Sequence, residues 1–463
     1  MTTATSATSV PIDLLRKYDR PGPRYTSYPT APVWTDAIGG EHYRAALQKA
    51  SEQKDTPLAL YVHIPFCRTR CFYCGCNTCI TRSTDSVSDY LDMLEREIGS
   101  VMALLGERRK VSQLHFGGGT PTYIGEAGLE RVMQSLEREV SFPENAELSI
   151  ELDPRVTTMK QLDYLAAHGF NRVSIGVQEF DPTVQEAIGR IQPVDMVAKL
   201  LERSRQLEFG GINFDLIYGL PHQTVERFSA TLDTVIAMRP DRLAVYSFAY
   251  LPKFKSHQSH IRPDDLPVTE DKYRLFATAI EKLTAAGYRQ IGMDHFALPD
   301  DELSLAQADG RLHRNFMGYT VQAAPEMIGV GMSSIGYVDH TFFQNISSLD
   351  SYKEAIARDG LAIYRGKALS DDDLVRQYVI TALMCNFRLD YDALKDRFGV
   401  DYRETFAEEH AGLREFFDDN FLRETDSGLE ITPLGRTFVR NIAMTYDAYL
   451  AGGDNKPTFS RTI

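Results

Sequence analysis

The sequence predicts an α/β fold built on a parallel sheet, and three observations carry that reading. Short apolar runs alternate with amphipathic stretches six times between Leu58 and Ala286. Six strand–helix units in succession imply right-handed crossovers with the helices outside. Cysteines and a glycine run follow directly after the first and second strands, where parallel folds place their chemistry. From about Ser370 the alternation stops and a mainly helical pattern replaces it.

The elements follow in order. Residues 58–65 (LALYVHIP) read as the first buried strand, and 90–105 carry apolar residues at helical spacing. Residues 111–116 form the second strand, running into Gly117-Gly118-Gly119, and 128–140 a helix. Strands at 146–152, 172–177, 212–218 and 242–248 alternate with helices at 159–167, 194–207, 224–238 and 271–286. Periodicity alone does not separate an open doubly wound sheet from a barrel, and six units are fewer than the eight of a full barrel. Beyond Ser370, helices are expected at 371–385, 391–398, 405–417 and 434–449, with a short strand at 429–433, as in a small helical or winged-helix module. The first 50 or so residues read as irregular, rich in Pro and Tyr, and needing a surface to pack on.

Composition narrows the function. The chain has 463 residues, 43% hydrophobic and 25% charged, and a net charge of −14. That balance fits a globular protein and repels phosphate backbones, so no nucleic-acid partner is expected. No apolar run is long enough to span a bilayer, and no basic-then-apolar leader opens the chain. A cytoplasmic protein follows, with its six cysteines reduced and not paired in structural disulfides.

Five of those cysteines fall between Cys67 and Cys79. Cys67, Cys71 and Cys74 make C-x3-C-x2-C just past the first strand. Three thiolates so spaced can hold three corners of a four-iron cubane and leave the fourth iron open to a small molecule. A zinc site completed by Cys76 or His63, or a group of inert buried thiols, is the plainer alternative.

With Tyr73 before the last of the three cysteines, the motif resembles the radical S-adenosylmethionine (SAM) superfamily. More narrowly, GPRYTSYPT, HIPFC, CGCN, GGGTPT, IELDPR, NFDLIYGLP, MDHFALPDDEL, LHRNFMGYT and FSRTI resemble its oxygen-independent coproporphyrinogen III oxidase family, from about Tyr18 to Ile463. The resemblance implies an incomplete six-unit (β/α)6 barrel with an N-terminal extension and a C-terminal mainly helical domain. Its expected divisions are a segment over residues 1–54 covering the substrate site, a core over 55–365 and a helical or winged-helix-like domain over 366–463.

The resemblance also implies residue roles. Cys67, Cys71 and Cys74 would hold a [4Fe–4S] cluster. Tyr61, Tyr73, Gly118, Gly119, Glu151 and Ile335 would line a first SAM. Gly119, Thr120, Gln178, Arg190, Asp215 and Ala249 would line a second. Arg190 sits in Gly189-Arg190-Ile191-Gln192, where the family more often flanks it with Asn and Glu. Cys76 and Tyr61 are the residues expected in catalysis, with Cys76 near the substrate and off the cluster. Cys79, where the family is commonly aliphatic, is expected to do nothing.

The implied reaction is oxidative decarboxylation of two propionates of coproporphyrinogen III to vinyl groups, giving protoporphyrinogen IX in haem biosynthesis. A 5′-deoxyadenosyl radical from SAM would start it. Arg24, Arg68 and Arg70 are candidate carboxylate partners, and Tyr25 and Tyr28 could pack on pyrrole rings. A small reductant protein such as a flavodoxin or ferredoxin is expected, and a monomer. Two rivals share the superfamily: a methyltransferase that opens haem, and a haem chaperone without catalysis. The GPRYTSYPT and FSRTI segments argue against the first, and Cys76 and Arg190 against the second.

Overall fold

The computed structural model describes residues 11–321, 324–450 and 459–462. Six parallel strands form its centre: β1 (Leu58–Ile64), β2 (Val111–Gly118), β3 (Glu147–Leu152), β4 (Arg172–Gln178), β5 (Gly211–Tyr218) and β6 (Arg242–Ser247). They pair in chain order, each with its successor and all parallel. Their apolar positions and the inner faces of the crossover helices make one continuous core. The helix expected from Tyr90 starts at Thr84, because the Ser83 hydroxyl accepts the Ser86 amide and caps it.

The sheet does not end with the sixth unit. Six short strands, unseen in the sequence, extend it at both edges. They are β7 (Arg289–Ile291), β8 (His295–Ala297), β9 (Met327–Val330), β10 (Ile335–Val338), β11 (Thr341–Asn345) and β12 (Ile363–Ala368). The full order is β12-β11-β10-β9-β1-β2-β3-β4-β5-β6-β8-β7. β9 runs parallel to β1, and the remaining added pairs are antiparallel. No pairing joins β7 to β12 among the described residues, so the sheet stays open. β12 carries the core to Ala368, past the expected boundary at 365.

The first 50 or so residues, of which 1–10 lie outside the described residues, are not irregular throughout as expected. They contain two helices, Ile12–Tyr18 and Gly40–Ala50. The first packs Leu15 and Tyr18 into the C-terminal module, and the second packs Tyr43, Ala46 and Leu47 into the main core. Between them the chain straps the open side of the sheet. Arg24 reaches Asp294 beside β8, and Thr35 exchanges backbone hydrogen bonds with Gly366 on β12.

The C-terminal module begins with a helix over Asp371–Asn386, capped by Ser370, and adds an antiparallel sheet of Arg388–Asp390, Leu422–Thr425 and Gly428–Ile431. The helix expected at 405–417 is broken into Tyr402–Thr405, Ala407–Gly412 and Arg414–Asp418, since Phe406 and Leu413 turn inward at the breaks and are buried. The helix expected to reach Tyr449 is a 3₁₀ turn over Gly435–Phe438 followed by Val439–Met444. Of the FSRTI segment, Ile463 lies outside the described residues.

Candidate active site

The cysteine loop leaves the C-terminal end of β1 and is closed at its base. Residues 66–67 pair with 79–80, and the Cys79 amide donates to the Pro65 carbonyl at 2.7 Å. Cys79 therefore has a place in the loop's return strand. Each of the three expected ligands has a donor or cation at hand. The Cys67 sulfur lies 3.5 Å from the Thr120 hydroxyl, and burial pushes that thiol up to about 11. The Cys71 sulfur sits between Arg155 Nη2 at 3.4 Å and Arg190 Nη1 at 3.7 Å. Cys74 is drawn down to about 6, chiefly by a hydrogen bond from Cys76, with the charges of Lys255 and Arg70 adding to it.

The same arginines meet Asp153. Arg190 Nη1 is 3.0 Å from its carboxylate and Arg155 Nη2 is 2.7 Å away. Burial alone would raise Asp153, but the Arg190 charge and the Arg155 hydrogen bonds hold it near 2. Arg190 spends its other donors on Gln192 Oε1 and the Gly176 carbonyl. In this structure it braces the cysteine loop against β4.

The glycine run after β2 lets two loops meet. A Cβ on Gly118, whose φ is +119°, would lie 2.7 Å from the His63 ring, and one on Gly119 would lie 2.6 Å from the Pro65 carbonyl. The Gly119 and Thr120 amides donate to the Ile64 and Phe66 carbonyls. The Gly118 amide donates to Glu151 at 3.2 Å.

Below this mouth the sheet's inner face is polar. Tyr61 on β1 stacks on His115 of β2, ring centres 5.9 Å apart, and its hydroxyl is 3.0 Å from His63 Nδ1. His115 Nδ1 bonds the Ser149 hydroxyl at 2.7 Å, and its Nε2 is 3.6 Å from Glu151. Ile335 joins this flank, since a Cβ on Gly329, the partner of Tyr61 on β9, would strike the Ile335 backbone.

A second flank lies further round. Gln178, at φ +64°, and Arg190 both close over Gly176, which pairs with Asp215 on β5. Asp215 accepts from Ser174 and Asn213, and burial with the nearby Glu151 charge pushes it up to about 6. Gln258 donates to the carbonyls of both Ala249 and Tyr73, fixing them side by side. Gly119 and Thr120 stay with the cysteine loop, and Tyr73 lies beside Ala249, so the two flanks adjoin.

A cavity of about 920 Å³ lies at the open side of the sheet, under the strap. Its wall mixes Phe316, Phe342 and Met384 with Arg314, Arg388 and Arg397. Tyr25 and Tyr28 belong to this wall, but they are only 6% and 2% exposed. The Tyr25 hydroxyl donates to Asp447 at 3.0 Å, and the Tyr28 hydroxyl accepts the Ala448 amide. They are core residues of the C-terminal module, which leaves little face for a pyrrole. Arg24 is held by Asp294 at 2.6 Å. Arg68 and Arg70 stand exposed on the outer cysteine loop and do not line the cavity. Cys76, also exposed, lies beside Cys74 and not on the cavity wall.

Sequence reasoning weighed His63 only as a zinc ligand and passed over His115, Asp153, Arg155 and Arg314. The last three stood in the quoted segments IELDPR and LHRNFMGYT, so motif membership was their available signal.

A parallel sheet whose first strand feeds three adjacent thiols, facing a glycine run and a ring of polar side chains, defines a radical SAM enzyme. Residues 61–235 match the Radical SAM superfamily, and residues 369–438 match the HemN C-terminal domain. The oxygen-independent coproporphyrinogen III oxidase of Salmonella typhimurium is 44% identical over 452 residues, covering 98% of each chain. That of Synechocystis is 40% identical over 467 residues and 100% of each. The solved coproporphyrinogen III oxidase of Escherichia coli, a radical SAM enzyme, superposes with a TM-score of 0.89 at 43% identity, covering 92% of this chain and 98% of that one. The chain belongs to the oxygen-independent coproporphyrinogen III oxidase family. It is an oxidoreductase whose cofactors are a [4Fe–4S] cluster and SAM.

The residues present fit that cluster. Among the described residues no three Cys, His, Asp or Glu side chains gather round a single ion site. A cubane asks for something else, one thiolate for each of three irons. Three neighbouring sulfurs, each beside a hydroxyl, a guanidinium or another thiol, meet that demand and the charge it brings.

Proposed function

We propose that the protein converts two propionates of coproporphyrinogen III to vinyl groups, with the macrocycle held in the 920 Å³ cavity. When bound, the cluster and SAM would supply a carbon-centred radical able to take a propionate β-hydrogen, so that loss of CO2 and of one electron to an acceptor would leave the vinyl group. Cys67, Cys71 and Cys74 hold the cluster, and Arg155, Arg190 and Thr120 steady their sulfurs. Tyr61, Tyr73, Gly118, Gly119, Glu151 and Ile335 line one SAM. Gly119, Thr120, Gln178, Arg190, Asp215 and Ala249 line the other. The reaction takes place in the cytoplasm, with electrons delivered by a small reductant protein.

The cavity is the observation that supports this reading. It mixes apolar walls for a macrocycle with guanidiniums for carboxylates. It also borders the strand that leads to the glycine run. Gln113 on β2 donates to Thr320 and accepts from Asn315, both on the cavity wall. Gly117 lies four residues up the same strand, about 13 Å at strand rise.

Arg314 is the best-placed anchor. Its Nη1 donates to the Arg24 carbonyl, its Nε is buried without a partner, and no carboxylate among the described residues lies within ion-pair distance. Fluorescence titration with coproporphyrin III, the oxidised and stable tetracarboxylate, tests the site. Arg314→Gln should weaken binding about tenfold or more, the scale of one charge-assisted hydrogen bond. Unchanged binding would remove Arg314 and this wall of the cavity from the substrate site.

A further inference from the structure

The protein is acidic, yet the surface around its cysteine loop is not. Residues 57–84 and 247–263 contain no Asp or Glu, in a chain where about one residue in seven is acidic. They contain Arg68, Arg70, Arg82, Lys253, Lys255 and Arg262. None of the six pairs with a carboxylate among the described residues.

The two stretches meet in space. Lys255 Nζ donates to the Cys76 carbonyl at 3.3 Å and lies 3.4 Å from Asn77 Oδ1. His257 is 2.7 Å from the Cys74 carbonyl, and His260 stacks on Phe72 at 4.8 Å. The segment over 251–262 is thus a collar on the outside of the cysteine loop. All its cations except Lys255 are exposed, as are Arg68, Arg70 and Arg82. The same collar carries Phe254, 72% exposed, and the cysteine loop carries Ile80, 42% exposed.

Two adjoining segments whose exposed cations pair with no carboxylate among the described residues, and which carry an exposed aromatic, suit an acidic partner. The charges steer and orient it, and the aromatic supplies a buried anchor. We propose that this collar docks an acidic one-electron carrier protein, so that its redox centre sits over the cysteine loop. The proposal rests on the reading that the loop holds a reducible cluster. The carrier gives one electron and is oxidised by one, and the cluster is reduced by one. Local structure alone does not account for the collar, because it would be equally well folded with mixed charges.

The test compares two reductants on reconstituted protein, following bleaching of the cluster absorbance. One is a recombinant acidic flavodoxin in its hydroquinone form, the other is dithionite. The triple variant Arg82→Glu, Lys253→Glu, Arg262→Glu should be reduced by flavodoxin at least tenfold more slowly at low salt. High salt should shrink that difference. Phe254→Ser, an exposed change with little folding risk, should slow flavodoxin alone. Dithionite rates, iron content and coproporphyrin III binding should stay at wild-type values. An unchanged flavodoxin rate would overturn the proposal. So would weaker coproporphyrin III binding with normal flavodoxin reduction, which would assign the collar to the substrate. Failure of the underlying cluster reading shows separately, as wild-type protein that takes up no iron.

Discussion

Arg190 and Asp153 form an ion pair 3.0 Å long, both residues buried, and Arg190 reaches the Cys71 sulfur with the same nitrogen. One guanidinium therefore links a carboxylate at the end of β3 to the cysteine loop and, through the Gly176 carbonyl, to β4. Removing one partner of such a pair leaves a buried charge uncompensated, at a cost of about 3–5 kcal/mol. Asp153→Ala should lower stability by that order and reduce iron uptake. The Arg190→Ala, Asp153→Ala double variant should recover at least ~1 kcal/mol of the summed loss. Chemical denaturation of the four proteins in the cycle measures it, and additive losses would show that the pair does not act as a unit.

The three cysteines and their neighbour separate by iron content. Cys67→Ser, Cys71→Ser and Cys74→Ser should each lose the cluster, since a hydroxyl does not replace a thiolate at an iron corner. Cys76→Ser should keep full iron and lose turnover, because its thiol hydrogen-bonds Cys74 from beside the three expected ligands. Iron per chain after anaerobic reconstitution decides it. Full iron in Cys67→Ser, or none in Cys76→Ser, would reverse the assignment.

The parallel core was legible because its strands are long and apolar and its crossovers amphipathic, as in 58–64 and 194–206. The strands β7 to β12 were not, since segments such as Arg289–Ile291 and His295–Ala297 are three residues long and carry no period. The cysteine and glycine motifs announced the mouth by their place after the first and second strands, and the family resemblance supplied their roles. Arg24, Tyr25 and Tyr28 misled for a physical reason. Arg and Tyr suit a carboxylate and a pyrrole in principle, but their partners Asp294, Asp447 and Ala448 lie some 270 to 420 residues away in sequence. No local pattern records such a contact.

That strap yields a prediction opposite to a free cover. Tyr18 is buried against Phe416, Phe421 and Phe438, with ring centres 5.2–5.3 Å away, and its hydroxyl donates to Asp419. Tyr18→Ala should cost about 3–5 kcal/mol, the range for losing a large buried aromatic. Deleting residues 11–30 should unfold the C-terminal module, not merely abolish turnover. Hydrogen exchange over 371–444 is the measurement. Full protection there in the truncated protein would make the segment a removable tail.

Asp215 gives a dependence on pH whose sign can be worked through. Burial comes first among the causes that lift it from 3.8 to about 6, and the Glu151 charge adds to it. His295 and the hydrogen bonds from Ser174 and Asn213 pull the other way. The folded protein therefore holds a proton that the unfolded chain has released between about pH 4 and pH 6. Stability falls as pH rises through that window and stays lower above it, by up to about 3 kcal/mol. Asp215→Asn removes the titration while keeping the size and a hydrogen-bonding end. In cofactor-free protein the Asn variant should gain on the wild type from pH 4 to pH 6 and hold a constant lead above that. Urea unfolding at pH 5 and pH 8 reads the difference. An equal gap at both values would mean that Asp215 titrates as it does in the unfolded chain. SAM binding gives an independent reading, since Asp215→Asn should lower the stoichiometry from two to one if this flank holds the second molecule.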